Sequence, residues 1–555
     1  MDLESSAGPL KPPLENDQDV QDATDLAAMG HAQALTRKFD MWSMLALAFC
    51  VLGMCCGDVA GIHHADCTCP GTYSTFAQDL SSGLTNGGSI TILWGLVVVT
   101  ACNLCVALSL GELTSSMPTA LGQAYWVYRL WSTPLGRFVS YMCAWINTFG
   151  WWTLTASQVA FMSEFLLGMK TMFVPDWDGA SKGWLNFVIY LGVVFVLTII
   201  NVVGCRREQI LPWINNFVGV WFGGLFVVLS LAMLISVGIK SGLTFQPGSF
   251  VFGQWINETG WSDGVVWFTG LVQAAYGLTA FDSVIHMVEE IPAPRENAPR
   301  VIWMAVTFGA ITGFIFMIVC LFCIQNVKSV TDADLPFIEL LLETVGLKGA
   351  ATLIALFIFN GLGQGIGILT TASRLTWGFA RDGGLPWSRY FSHVDPVWQV
   401  PARSLWGQGV VIGLVGILYL FSNTVLEAIL SVSTIALTVS YAMPILALLV
   451  VGRDKLPAGG TFKLGRWGSW LNWISIVYCV ITTIFFLFPG SPNPAPMDMN
   501  YAIAVFGVML VIALVFWFIQ GSRTYLQTED SIAQMVYAQH LENSEGADEV
   551  SENRQ

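Results

Sequence analysis

The sequence predicts an all-α integral membrane protein of twelve transmembrane helices, and three observations carry that prediction. Apolar residues make up 54% of the 555 positions and charged residues 11%, against about 25% charged in an average soluble domain. Runs of about 20 apolar residues, the length a helix needs to cross hydrocarbon, recur along the whole chain. Between those runs, Lys and Arg are dense in alternate loops and sparse in the others.

The first run, 41–77, is interrupted. Eleven more are placed at 90–109, 138–167, 184–203, 210–237, 265–291, 301–324, 350–378, 406–421, 425–451, 470–488 and 501–519. The membrane body is therefore 41–520, flanked by acidic tails at 1–40 and 521–555. The formal charge of −14 belongs largely to those tails: residues 1–39 carry seven acids and three bases, and residues 521–555 seven acids and two bases. Polar, acidic ends of this kind cannot bury a core, so solvated disorder is the expectation for both. The acidity points to no nucleic-acid partner. The acidic start also lacks the basic and apolar regions of a cleavable signal peptide.

An even number of spans puts both termini on one side. The tails and the loops sharing their side hold nineteen Lys and Arg, the opposite loops five, which places both termini in the cytoplasm by the positive-inside rule. Asn257-Glu258-Thr259 is the one Asn-x-Ser/Thr sequon in the chain. It falls in an outward loop, where glycosylation is possible.

The sixth span carries the residues that least belong in lipid. Tyr276-Gly277 loosens the helix, and Asp282 follows within the same apolar run. A carboxylate at membrane depth costs roughly 2.5 to 3.5 kcal/mol on insertion scales, so such a group normally lines a protein-enclosed or wet cavity. Asp282, His286 and Glu290 recur at four-residue spacing and would share one helical face that runs toward Pro292 and Pro294. This ladder is the candidate for proton coupling, because His titrates nearest cellular pH. A polar seam between helices is the alternative. Tyr276, Phe281, Trp151 and Trp152 are aromatic candidates to face an amine or quaternary ammonium, with lipid-facing or core packing as the alternative.

Three polar stretches on the cytoplasmic side are candidates for an inner gate: 110–123 after the second span, 289–300 after the sixth and 373–386 after the eighth. They set Glu112, Glu289 and Glu290 against Arg300, Arg374 and Arg381, enough opposite charge to close in one state and release in another. Glu112 and Arg381 are the expected pair. Plain interfacial anchoring is the alternative. A membrane-embedded enzyme would need a nucleophile and base or a metal cluster at depth; outside 54–71, His286 is the one histidine in any span and no HExxH occurs. No metal or cofactor is expected.

Three of these stretches, AFDSVIHMVEEIPAPRENAPR, SLGELTSSMPTALGQAYW and TASRLTWGFARDGGLPWS, resemble the signatures of fungal permeases in the amino acid/choline transporter family, within the amino acid, polyamine and organocation superfamily. The resemblance runs from Met41 to about Ile519. It implies a five-plus-five inverted repeat with two appended helices, the first and sixth helices broken at the midplane, and alternating access around the break. It implies import of an amino acid or amine nutrient such as GABA, with choline or another quaternary amine or polyamine as the alternative, or a transport-dead sensor of the same fold. The plasma membrane is the expected location and the vacuolar membrane the alternative. Two departures stand out. No Gly-x-Gly lies between Met41 and Gly53, and Ile214-Asn215-Asn216-Phe217 is uncharged where some relatives carry a Lys.

The interruption at 54–71, MCCGDVAGIHHADCTCPG, invites a metal or disulfide reading. The apolar run before it has thirteen residues, about 20 Å of helix against a core of about 30 Å, so the insert cuts the first span in half. Joining Gly53 to Thr72 restores a span of sensible length. Gly53-Met54-Cys55 can be encoded with GTATGT, a fungal intron start, Ala65-Asp66 with the branch sequence GCTGAC, and Pro70-Gly71 with a closing CAG. The segment reads as a translated, unspliced intron of eighteen whole codons, with an extracellular Cys/His lid as the alternative. On the intron reading, Gly53, Thr72, Tyr73 and Ser74 form the break that faces Tyr276, Gly277, Phe281 and Asp282 as the substrate site. Sequencing the transcript should show a dominant message lacking those codons; transport-active protein made from a message that retains them refutes the intron reading.

Overall fold

The computed structural model describes residues 17–31, 33–52, 80–204, 209–333, 335–395, 400–421, 423–495 and 499–526. Gly53, the 54–71 insert, Thr72, Tyr73 and Ser74 lie outside the described residues, as does nearly all of the C-terminal tail. The described secondary structure is helical. A tail helix α1 (Asp17–Ala27) precedes α2 (Met41–Val51), α3 (Gly88–Ser116), α4 (Gln123–Leu130), α5 (Pro134–Phe173), α6 (Gly183–Gly204) and α7 (Ile210–Ile239). After them come α8 (Asp263–Gly277), α9 (Ser283–His286), α10 (Pro294–Cys323), α11 (Leu347–Arg381), α12 (Ala402–Leu420), α13 (Asn423–Val451), α14 (Gly465–Phe485) and α15 (Ala502–Thr524).

Among the described residues, nine helices are long and apolar enough to cross a membrane. At 40 residues α5 is longer still, but its buried face carries Ser140, Asn147, Thr155, Gln158 and Ser163, so it crosses as a polar-seamed inner helix. Burial separates inner from outer helices: in the most apolar stretch of α11, 67% of residues are buried, and in that of α15, 17%. The outer helices present Trp213, Val220, Ile239, Trp470 and Phe518 at the surface, a distribution suited to lipid and unsuited to water.

Local chemistry sets the helix ends. Asp40 caps α2, accepting from Ser43 N at 2.7 Å while its own N–H donates to Ser43 Oγ at 2.9 Å, a reciprocal capping box. That helix stops at Val51, because Leu52 leaves the helical region at ψ 136°. Thr133 and Pro134 start α5, and Pro294 starts α10. The break in the sixth span lies slightly later than the sequence suggests. Gly277 still ends a helix, and the unwound stretch is Leu278 to Asp282, with Ala280 left-handed at φ 69°. A left-handed alanine costs about 1–2 kcal/mol and persists only where its surroundings over-determine it.

One expectation needs correction. Residues 17–31 and 33–40, expected as solvated tail, form α1 and an extended strap docked on the bundle: Tyr125 OH donates to Met29 O at 3.1 Å and Phe39 N donates to Glu290 O at 3.1 Å. Gly260-Trp261-Ser262-Asp263-Gly264 matches the Gly-x-Ser-x-Gly spacing of a nucleophile elbow. Here Ser262 merely precedes the first turn of α8, in an exposed loop and not between a strand and a helix.

Asn257 is exposed in that loop, at the end of α8 opposite the break; its Nδ2 donates to Trp261 O and Asp263 Oδ1, both at 2.9 Å. A glycan on that nitrogen replaces one of its two hydrogens and so removes at least one of these bonds, so its addition belongs to the nascent chain. A glycosidase should shift the mobility of the protein made in a eukaryotic host, and Asn257→Gln should abolish the shift; an unshifted wild type places this loop on the other side.

Candidate functional site

The unwound stretch after α8 delivers Asp282 to the middle of the bundle, where its side chain is fully buried. Elements distant in sequence converge on it. Tyr441 OH of α13 donates to Oδ1 at 2.6 Å, while Gln123 Nε2 of α4 and Trp151 Nε1 of α5 donate to Oδ2 at 2.9 and 3.2 Å. His286 Nε2 stands 3.1 Å from the same Oδ2. Tyr441 also accepts from the N–H of left-handed Ala280 at 3.2 Å, which ties the backbone strain to the carboxylate site.

The histidine is oriented from its far side. Its Nδ1 lies 2.9 Å from Ala120 O; a carbonyl only accepts, so Nδ1 carries a hydrogen. Asn147 Nδ2 bridges Gln123 Oε1 at 3.1 Å and His286 Nε2 at 3.2 Å. Gly122 makes this approach possible, because at φ +54° a Cβ there would lie 2.5 Å from Ile285 Cγ2. The glycine lets the α3–α4 turn press against α9 and bring Ala120 and Gln123 within reach.

Ala120 then connects this centre to the charged end of the bundle. Its N–H donates to Glu289 Oε1 at 2.9 Å, and Arg381 Nη1 donates to both oxygens of Glu289 at 2.9 and 3.1 Å. Beside it, Arg374 Nε donates to Glu290 Oε1 at 2.6 Å, with side-chain exposures of 0% and 2%. Glu112 takes two bonds from Arg453 Nη2, at 2.6 and 2.7 Å, and one from Leu464 N at 2.9 Å. The strap adds Gln33 Nε2 to Glu289 O at 2.9 Å and Asp25 Oδ2 to Arg295 Nε at 2.6 Å. His31 is buried 3.7 Å from Asp382. Burial first, and the Arg381 charge second, hold its imidazole well below the ordinary pKa; burial pushes the Asp382 carboxyl up to about 6 against the pull of Arg381.

Sequence and structure can now be compared residue by residue. Asp282 and His286 come together as the ladder expects. Glu290 does not join them: α9 ends at His286, a 3-10 turn covers Val288–Glu290, and the carboxylate turns to Arg374. The pairing of Glu112 with Arg381 is also corrected, since each has another partner within 3 Å. Arg300 stands apart, half-exposed and 3.5 Å from Glu296 on its own helix. Of the aromatic candidates, Trp151 is a hydrogen-bond donor to Asp282, Trp152 turns away to Thr376 Oγ1 at 2.9 Å, Phe281 packs on Tyr441 and Tyr276 on Phe486. Sequence reading missed Tyr441, Asn147 and Arg453. A polar Asn inside an apolar run could have flagged Asn147, whereas nothing local distinguishes Tyr441 among the chain's tyrosines. Among the described residues no cluster of His, Cys, Asp and Glu could hold a metal.

A helix broken around a buried carboxylate within a bundle of long apolar helices is a feature that many secondary transporters share. The sequence pattern of the amino acid permease family matches residues 39–512, and the chain belongs to that family. It is 28% identical over 562 residues to the choline transporter of Saccharomyces cerevisiae (strain ATCC 204508 / S288c), covering 99% of this chain and 94% of that one. A putative amino acid/polyamine transporter of Macrophomina phaseolina (strain MS6) is 30% identical over 443 residues, 78% of this chain and 95% of that one. The GABA-specific permease of Saccharomyces cerevisiae (strain ATCC 204508 / S288c) is 25% identical over 513 residues, 91% of this chain and 85% of that one.

The geometry sets a definite expectation for the charged layer. Removing one partner of a buried ion pair costs about 3–5 kcal/mol, so Glu289→Arg and Arg381→Glu should each cut transport severely. Their combination should recover much of it in a double-mutant cycle. Glu112→Arg with Arg381→Glu should show no such recovery; recovery there, or strict additivity for Glu289 and Arg381, contradicts the pairing.

Proposed function

We propose that this protein imports an amino acid or amine nutrient, of the GABA class, by proton-coupled alternating access, with both termini in the cytoplasm and the plasma membrane as its site. The carrying observation is the hydrogen-bonded path from Asp282 through His286 and Ala120 to Glu289 and Arg381. The relatives named as a choline transporter, an amino acid/polyamine transporter and a GABA permease support the substrate class. The nineteen-to-five distribution of Lys and Arg supports the orientation.

The proton step follows from lone pairs. With Nδ1–H donating to Ala120 O, Nε2 and Asp282 Oδ2 at 3.1 Å need one proton between them. Loss of that proton removes the direct Nε2–Oδ2 bond and leaves Nε2 to Asn147 Nδ2 and the carboxylate to Tyr441, Gln123 and Trp151, so the contact between His286 and Asp282 loosens. His286 then no longer holds Ala120, and Ala120 no longer steadies Glu289 against Arg381. Proton occupancy and closure of the cytoplasmic layer are thereby linked in both directions. Substrate is bound beside the same break, so substrate and proton bias one two-state element. No step makes or breaks a covalent bond in the substrate, and the role is that of a carrier, not an enzyme.

Uptake into proteoliposomes with an imposed proton gradient tests this. Asp282→Asn should abolish uphill uptake while retaining some exchange of labelled solute, because Asn keeps the hydrogen-bond shape and loses the titrating group. Uphill uptake of wild-type strength in Asp282→Asn removes the proton role. Wild-type protein that binds the solute and moves none of it is a sensor.

A further inference from the structure

Several buried polar side chains have no partner among the described residues, and Asn360 is the one in which both polar atoms lack one. Asn360 lies near the middle of α11, 1% exposed, and neither its Oδ1 nor its Nδ2 has a partner among the described residues. It stands one helical turn from Gln364 and two from Gly367, on one face. That face meets α2: Gln364 Nε2 donates to Cys50 O in the last turn of α2, and a Cβ on Gly367 would lie 3.1 Å from Val51 Cγ2. Asn360 is the next residue along that face, one turn from Gln364.

Two neighbouring amides also have an unpartnered oxygen, as Gln408 and Asn186 do elsewhere in the bundle. Gln158 of α5 donates Nε2 to Gly361 O at 2.6 Å, and its Oε1 has no partner among the described residues; the Oε1 of Gln364 is likewise unpartnered. Both glutamine nitrogens are committed to backbone carbonyls, which only accept. The oxygens are therefore the free ends, and rotating either amide would sacrifice a bond without gaining one. Gln158, Asn360 and Gln364 thus hold three unspent acceptor oxygens and a single unspent amide nitrogen, all within about one turn of α11 beside the end of α2.

We propose that these three side chains form the ammonium end of the substrate site and select amines that bear N–H bonds over quaternary ammonium. The proposal rests on the transport reading and sharpens its substrate class. A primary ammonium offers three N–H donors to three oxygens. A quaternary ammonium offers none, leaves the oxygens unsatisfied, and needs aromatic faces in their place. Among the described residues the aromatic candidates near the break do not form that cage: Trp151 donates to Asp282, Trp152 turns to Thr376, and Tyr276 and Phe281 are packed on Phe486 and Tyr441. A site built of hydrogen-bond acceptors rejects a ligand lacking donors, because its own buried groups are then left unpaired.

The test uses full-length protein in proteoliposomes and in detergent, with γ-aminobutyrate and its N-methyl, N,N-dimethyl and N-trimethyl analogues as probes. Competition for uptake and ligand-induced thermal stabilisation are read in parallel. Affinity should fall along the series, on the order of tenfold for each hydrogen bond lost. Asn360→Leu should leave the ligand-free melting temperature unchanged or higher, since it removes a polar group with no partner, while lowering γ-aminobutyrate affinity about tenfold and flattening the series. Asn360→Ala guards against a packing artefact of the larger side chain and should flatten the series in the same way. A trimethyl analogue that binds wild type as well as γ-aminobutyrate overturns the proposal, as does an undiminished preference in both variants. Wild-type protein that takes up the series without discrimination sinks this inference alone; protein that binds no member of it sinks the transport reading as well.

Discussion

The structure depends on keeping one carboxylate dry. Asp282 sits at membrane depth with no exposed side-chain surface, and an isolated ionised group there is prohibitively unstable. It is tolerated because Tyr441, Gln123 and Trp151 donate to it and His286 shares its remaining contact. Those residues come from α13, α4, α5 and α9, so satisfying one side chain fixes the relative position of four elements. The unwound backbone from Leu278 to Asp282 and the left-handed Ala280 are the local cost of that arrangement. Polar groups at a helix break are tolerated in a membrane only where protein or water surrounds them.

From this centre the polar structure extends in one direction. Ala120 bonds His286 through its carbonyl and Glu289 through its N–H, so a single residue of the α3–α4 turn couples the membrane interior to the ion-pair layer. That layer is unusually buried for salt bridges, with Arg374 and Glu290 almost wholly withdrawn from solvent. Buried ion pairs contribute little net stability relative to well-packed apolar residues, but breaking one is costly. Here they join the α3–α4 turn, the segment after α9 and the end of α11 to one another. The strap before α2 adds to the same layer through Gln33 and Asp25.

The contrast between the two polar regions is informative. Around Asp282 each carboxylate oxygen has a donor, although Asn147 Oδ1 beside it has no partner among the described residues. Around Asn360 the mismatch is larger: both of its polar atoms and the Oε1 of Gln158 and Gln364 lack partners among the described residues. Local inconsistency in an otherwise well-satisfied interior is where function concentrates.

The sequence alone determined the membrane class, the approximate places of the nine long apolar helices and the break near Gly277, because these follow from local quantities: the length of apolar runs, the loss of helix propensity at Gly and Pro, and the cost of a carboxylate in hydrocarbon. It also placed Asp282 and His286 together, since both lie within one turn. It failed where partners come from far along the chain. Four-residue spacing put Glu290 on the His286 face, but the 3-10 turn at Val288–Glu290 rotates it to Arg374, 84 residues away. Charge alone could not distinguish Arg381 from Arg453 as the partner of Glu112, because pairing depends on which helix ends pack side by side. Nor could composition foresee that an acidic tail would dock, since Asp22 and Asp25 look solvated until the N–H of Ala293 and the guanidinium of Arg295 are placed opposite them. Local chemistry writes the elements, and only packing decides which of their polar groups meet.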